Sequence, residues 1–334
     1  MRKIKKCFGP NRRQFLASSL LAIGAPLVSR AKAQGSYPTK AIRIIVPFAA
    51  GALTDSLGRV IGQKLQAKWG QSVVVENISG AGGVAGTAAA ARSAPDGHTL
   101  VLLISSHASN QTLMSSLPYD SLNDFAPITL VAKSTNVLLA SNNFLRRTEN
   151  TGADLRMFLD YAKGQSLLFG HSGTGNMNHL VGVLLGRVAG IKLEPVPYRG
   201  GAAAMNDLVG AHLDLQVATV GFSAPFVRDN RVSALGVTSE ARHPVIPNVL
   251  TFKEVGVNVV ADEWWGLAAP ARTPPEIIRQ INTEVRAILD MPDVISRLNG
   301  ADLVSSSPEE FDAFIRSETT RWGEFIRTVG IRIN

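Results

Sequence analysis

The sequence predicts an α/β fold of two halves, each a mostly parallel sheet flanked by helices. Three observations carry this reading. From Ala41 onward, short β-branched runs alternate with segments of helical spacing. The strands are nearly continuous in apolar residues, as strands covered on both faces are. The 334 residues, with an irregular stretch near 105–127, fit two units better than one long sheet.

The first 33 residues stand apart. They carry Arg2, Lys3, Lys5, Lys6, Arg12, Arg13, Arg30 and Lys32 and no acid, and "NRRQFL" precedes an apolar run from Phe15 to Val28 that ends in "AKA" at Ala31–Ala33. A basic start, a short apolar core and small residues at the end describe an export leader over 1–33, and the arginine pair points to the twin-arginine route. The run is about fourteen residues, short of the ~20 that a bilayer span requires. With those eight basic residues set aside, 26 basic residues face 26 acidic ones. The formal charge of +8 therefore belongs to the leader, and the nucleic-acid or membrane-surface reading of a basic chain falls away. The single cysteine, Cys7, lies in the leader. The remainder is thus expected to have no disulfide, thiolate nucleophile or cysteine metal site, and to be a soluble, unanchored periplasmic monomer.

The elements then follow in order. "AIRIIV" reads as a strand. "TDSLGRVIGQKLQAKWG" sets Leu57, Val60, Ile61, Leu65 and Trp69 on one helical face, with Thr54 as N-cap and Gly70 as stop. "SVVVEN" is a strand and "VAGTAAAARSA" a helix of small residues. A Pro-Asp-Gly turn at Pro95–Gly97 leads to the strand "HTLVLLIS". After Asn142 the alternation resumes. "LRMFLDYAKG", "NMNHLVGVLLGRVAG" and "GAAAMNDLVGAH" are helical, and "SLLFGHS", "LEPVPY", "LDLQVATV" and "VSALGVTS" are strands. "EWWGLAAP" is an aromatic strand that puts Trp264 and Trp265 on opposite faces. Two amphipathic helices close the chain, the second with Ser307 as N-cap and Pro308 at its first position.

Chemistry concentrates at four glycine-rich junctions, each after a strand: "FAAGALTD" (48–55), "SGAGGVAG" (79–86), "SGTGNMNH" (172–179) and "YRGGAAAM" (198–205). Glycine lets the backbone approach a ligand closely. A following helix presents unpaired N–H groups that suit a carboxylate or phosphate. In a parallel sheet such junctions share one end, where ligands bind. Four of them, two in each half, point to an anion held between the halves.

Two sharper motifs compete with this reading. "GAGGVA" (Gly80–Ala85) satisfies the dinucleotide fingerprint, but the acid expected about twenty residues on is replaced by Asp96 in a turn before the next strand. "GHSGT" (Gly170–Thr174) evokes the serine-hydrolase elbow, yet ends in Thr174 where a residue with little side chain is needed. None of the six histidines has a paired metal spacing, so no metal is expected, and with the ribose acid missing no cofactor is expected either. His179 flanks the third junction and is placed near the ligand. Asp55 either stabilises its helix N-terminus, with Arg59 as its i, i+4 partner, or meets an amino group of the ligand.

The fragments "YPTKAIRIIVPFAAGALTD", "GQSVVVENISGAGGVAG", "PDGHTLVL", "LPYD", "NHL", "VPYRGG", "ALGVTS" and "WWGLAAPARTP" occur in this order from Tyr37 onward. In that series the chain resembles the Bug family, the periplasmic solute receptors of tripartite tricarboxylate transporters. The resemblance implies a two-domain periplasmic binding fold of the type II-like kind. Small organic acids would be held in the interdomain cleft, largely through backbone groups and ordered waters. It implies no reaction, and as partners the membrane components of such a transporter. By matching position, the contact candidates in the first loop are Phe48, Ala49, Ala50, Gly51, Ala52, Thr54 and Asp55. In the second they are Gly80, Ala81, Gly82 and Gly83. Across the cleft stand Ser172, Thr174, Gly175, Asn176, His179, Tyr198, Gly200 and Gly201. Ala52 replaces a glycine usual in the family, and Asn176 a common serine. Residues 34–133 plus 260–334 are expected to form one domain and 134–259 the other, hinged near 133 and 260. The rival expectations are an exported flavin- or nicotinamide-dependent oxidoreductase, or a receptor that docks on a signalling protein.

Overall fold

The structure, a computed structural model, describes residues 37–51, 53–298 and 301–332; the predicted leader and Ala52 lie outside them. The first β-branched runs form β1 (Ile42–Val46) and β2 (Val73–Asn77), joined by α1 (Leu53–Trp69). Leu57, Val60, Ile61 and Leu65 of α1 are buried as its spacing requires, and Gly70, at φ 66°, ends it. A 3₁₀ turn at Ala81–Gly83 enters α2 (Val84–Ala91), followed by β3 (Thr99–Ile104), α3 (Ser106–Leu113) and the long β4 (Phe125–Ser141). After α4 (Asn142–Arg147) and α5 (Leu155–Ala162) the chain alternates through β5 (Ser166–His171), α6 (Met177–Ala189), β6 (Lys192–Pro197) and α7 (Gly201–Val209). It continues through β7 (Leu215–Thr219), α8 (Val220–Arg228) and β8 (Val232–Val237). It ends with β9 (Asp262–Pro270), α9 (Pro275–Leu289), α10 (Pro292–Arg297), β10 (Asp302–Leu303) and α11 (Pro308–Val329). Ser307 caps α11 in a reciprocal box with Glu310, with Pro308 at the first helical position.

The strands follow the order β2-β1-β3-β9-β4-β7-β5-β6, with β8 and β10 also on β4. β1 lies parallel to β2 and β3, and β5 parallel to β6 and β7. Between these parallel wings, β9 runs antiparallel to β3 and β4, and β4 antiparallel to β7 and β8. The fold is thus α/β with a mixed sheet. β4 spans both wings: Phe125 to Thr135 pair with β9, and Asn136 to Ser141 with β7 and β8.

Both wings are covered on both faces. α1 and α9 pack one face of the first wing, and α2, α3 and the start of α11 the other. In the second wing α5 and α6 share one core, while Met205 of α7 and Val220 of α8 join Val137 and Leu139 of β4 in another. α11 reaches both wings: Phe311 and Ile315 belong to the first, whereas Trp322 and Ile326 pack with the cluster around Phe169. No described helix is long and apolar enough to cross a membrane.

Candidate functional site

The first junction is organised by Asp55. Its carboxylate, 4% exposed, accepts from the Gly51 N–H (3.0 Å), Arg59 Nε (2.9 Å) and Asn77 Nδ2 (2.9 Å). Burial alone would raise its pKa, but these hydrogen bonds and the Arg59 charge prevail and hold it below the usual carboxylate value. Asn77 also donates to the Phe48 carbonyl at 3.0 Å, so Asp55 and Asn77 fix the loop. Asp55 is thereby tied to its own chain, with Arg59 as the expected partner. Thr54 lies within the first turn of α1, where its Oγ1 accepts from Trp265 Nε1 at 2.9 Å.

The second junction is a run of four residues with positive φ: Gly80 (150°), Ala81 (46°), Gly82 (64°) and Gly83 (94°). Successive backbone turns of this kind make a concavity of N–H groups that accepts an anion. The Gly83 N–H is taken by the Gly80 carbonyl, but no described acceptor takes those of Ala81 or Gly82. Phe48 covers the loop from below: a Cβ on Gly83 would come within 2.9 Å of its ring.

Across the cleft, two histidines support the third junction. His171 Nδ1 accepts from the Gly173 N–H and His179 Nδ1 from the Gly175 N–H, each at 3.2 Å, and the two rings lie 4.6 Å apart. Desolvation, with the neighbouring His179, lowers the pKa of His171 to about 4, and burial lowers that of His179. Both rings are therefore neutral and serve as acceptors behind the loop. The Ser172 hydroxyl donates to Asn178 Oδ1 at 2.8 Å, so no histidine activates it as a hydrolase elbow would require. The Thr174 N–H has no described acceptor. Asp96, the residue a dinucleotide fingerprint would need on a ribose, is held by Lys40 at 2.8 Å.

Two adjoining cavities, of about 160 and 210 Å³, lie between these junctions and share Ser106 and Asn176. Phe48, Ala81, Gly82, Ser172, Thr174, Gly175 and Asn176 line them, as expected of the junctions. Ala49, Ala50, Gly51, Gly80 and Gly83 belong to the same loops but stand outside the lining, as do His179 on α6 and Thr54 and Asp55 on α1. The fourth junction is set apart as well. Tyr198 donates to Asp207 at 2.9 Å, the Gly201 carbonyl accepts from Gln216, and Gly200 (φ 102°) precedes α7. Larger hollows of about 270 and 300 Å³ lie between α8 and the segment 243–249. No glycine junction reaches them, so the smaller pair is the candidate site.

Met177 and Asn178, within the third junction, also line these two cavities, and the remaining wall comes from residues that the junctions do not announce: Ile104 at the end of β3, Ser106, Asn110 and Met114 after it, Thr219, and Glu263 and Trp265 of β9. Trp264 is fully buried against Phe311 and Phe314 on the opposite face. A paired-tryptophan strand was the one sequence signal for this wall. Glu263, 9% exposed, accepts a hydrogen bond from the buried Ser105 hydroxyl. Burial, only partly offset by that bond, pushes its pKa up to about 7. No lysine or arginine lines either cavity. The arrangement offers backbone donors, hydroxyls and carboxamides; Ser105, the serine bonded to Glu263, is fully buried and lines neither cavity. No group of described side chains could hold a metal ion.

Residues 57–331 match the family described as the tripartite tricarboxylate transporter family receptor. A protein of Pseudomonas sp. strain P51, named for the tcbD-tcbE intergenic region, is 33% identical over 331 residues, covering 97% of this chain and 95% of its own. BugT of Bordetella pertussis is 31% identical over 328 residues, 97% and 99% of the two chains. Among solved structures, the periplasmic binding protein BugD is 29% identical, with a TM-score of 0.76 over 89% of this chain and 99% of its own. An R. palustris protein solved with adipate is 29% identical, with a TM-score of 0.77 over 89% and 99%. MatC from Rhodopseudomonas palustris, with bound malate, is 29% identical, with a TM-score of 0.75 over 87% and 100%. The match runs through both wings, from α1 to the end of α11, and the chain belongs to the tripartite tricarboxylate transporter receptor family of two-domain solute-binding proteins, which are receptors and not enzymes.

Proposed function

We propose that the chain is a periplasmic receptor that holds a small carboxylate in the cleft between two domains and delivers it to the membrane components of a tripartite tricarboxylate transporter. The observation that carries the carboxylate is the run of positive φ at Gly80–Gly83, with the N–H groups of Ala81 and Gly82 unclaimed at a cavity without a basic side chain. Backbone donors recognise a carboxylate without the desolvation cost of a buried lysine or arginine, and they permit release. The adipate and malate found in structural relatives favour the same ligand class. Ser172, Thr174 and Asn176 face this loop from the second wing, so a ligand, with ordered waters, would bridge both.

In this reading one domain comprises 34–133 plus 260–334 and the other 134–259. The change of partner along β4 at Thr135/Asn136 supports hinges near 133 and 260. Residues 1–33 direct export by the twin-arginine route, and the mature chain acts as a monomer. A thermal-shift and calorimetric screen of mono-, di- and tricarboxylates tests the function. At least one small carboxylate should bind and raise the melting temperature; binding of neutral sugars or cations alone would overturn the reading. Replacing Arg12 and Arg13 by lysine should stop export; unchanged export would exclude the twin-arginine route.

A further inference from the structure

Glu263 is the one charged side chain lining the two cavities. It lines the cavity next to the one that holds the Ala81–Gly82 amides, and the two cavities share Ser106 and Asn176. One of its oxygens, Oε1, accepts from the Ser105 hydroxyl. No described donor reaches Oε2, and no lysine, arginine or histidine contributes to its ionisation. Asp55, the acid that the sequence offered for an amino group, is closed off by three donors of its own chain.

A buried carboxylate with an unfilled acceptor sets a condition on what shares its cavity. An apolar ligand end would leave Oε2 without a partner, which is costly in a desolvated site. Above about pH 7, where Glu263 is ionised, a second ligand carboxylate would place like charges together. A donor satisfies it. We propose that Glu263 is a specificity-determining residue, and that the ligand is a small carboxylic acid bearing a hydrogen-bond donor, an ammonium or hydroxyl group, that Glu263 accepts. This rests on the carboxylate reading above. The carboxylate end meets the amides of Ala81, Gly82 and Thr174, and the donor end meets Oε2.

Calorimetric titration of the mature protein with matched series tests it: butanoate, 4-hydroxybutanoate, 4-aminobutanoate and succinate, and the corresponding six-carbon acids. At pH 8 the amino or hydroxy acid should bind at least tenfold tighter than the unsubstituted acid and the diacid of its length. Glu263→Gln keeps the shape and an acceptor for Ser105 but removes the charge, and it should cut the preference for the amino acid over the diacid at least tenfold. Diacids ranking first in the wild type, or a ranking unmoved by E263Q, would overturn the inference while leaving the carboxylate reading intact. Failure of every carboxylate in both series would overturn both. Should E263Q not fold, the wild-type ranking alone decides.

Discussion

Asp55 and Glu263, both buried, respond to pH with opposite sign, because one has donors and the other almost none. Asp55 is held below its ordinary value of 3.8, so its contribution is complete above that pH and is lost as pH falls through the lower folded value. Glu263 is raised from 4.5 to about 7, so the folded state binds its proton more tightly than the unfolded chain does. Stability then falls as pH rises from 4.5 to about 7, and the cost is complete above that. The neighbours do not cancel it. Lys133 of β4 lies over the Phe314 ring, Asp262 is next to it on β9 but alternates to the other face, and His107 of α3 is buried, neutral and bonded to the Ser121 carbonyl. Glu263→Gln is therefore expected to stabilise the ligand-free protein by up to roughly 3 kcal/mol at pH 8 and by nothing near pH 4. Denaturant unfolding at the two pH values measures this; an equal effect at both would show that the charge is already compensated.

At the scale of elements, the second junction owes its position to a glycine inside α2. A Cβ on Gly86 would lie 2.6 Å from the Ile78 carbonyl and 2.8 Å from Pro47 Cα, both backbone atoms that cannot swing aside. Gly86→Ala must push α2 away from the first loop, at about 1–3 kcal/mol, and should weaken carboxylate binding with it. Gly152, with nothing within 4 Å of an added Cβ and no positive φ, is the control and should change stability by less than about 0.5 kcal/mol on substitution by alanine. Thermal melts and calorimetry compare the two; an unaltered G86A would mean that the loops are not rigidly packed. Such loops were legible in the sequence because glycine and helix starts are local signals, as were β1, α1, β5, α6 and the cap of α11. α3, β4 and α8 were not. β4 hides because Lys133, Ser134, Thr135 and Asn136 interrupt its apolar run where it changes partners. α8 carries Pro225 and Gly221, and α3 buries Ser106, His107, Ser109 and Asn110, polar residues that read as loop. The cleft wall at Ser106, Asn110, Thr219 and Glu263 escaped for another reason. It is assembled by antiparallel pairing of β3 with β9 and of β7 with β4, contacts between distant segments that no local pattern encodes.

Across the whole molecule, that same interruption of β4 connects the cleft to the strands that join the wings. Ser172 donates to Asn178 Oδ1, and Asn178 Nδ2 donates to the fully buried Asn136 Oδ1, both at 2.8 Å. Asn136 in turn donates to the Ala261 carbonyl at 2.9 Å, which also accepts from the Thr238 hydroxyl at 2.8 Å. A cleft residue is thus tied through one buried carboxamide to both crossings of the chain, near 136 and 261. An apolar residue in place of Asn136 would leave Asn178 Nδ2 without its acceptor, which costs about 1–3 kcal/mol for a buried group, while the Ala261 carbonyl keeps the Thr238 hydroxyl. Asn136→Ala and Asn178→Ala should each destabilise, and because they break one shared bond the double variant should lose less than the two losses combined, by at least about 0.5 kcal/mol. Asn136 does not line the cavities, yet under the proposed hinge closure its loss should weaken carboxylate binding several-fold, because Asn178 would be uncoupled from the crossings. Unfolding of the four chains of the cycle, with calorimetry on each, measures both quantities. Additive stabilities together with wild-type affinity in N136A would mean that the proposed closure does not run through this network.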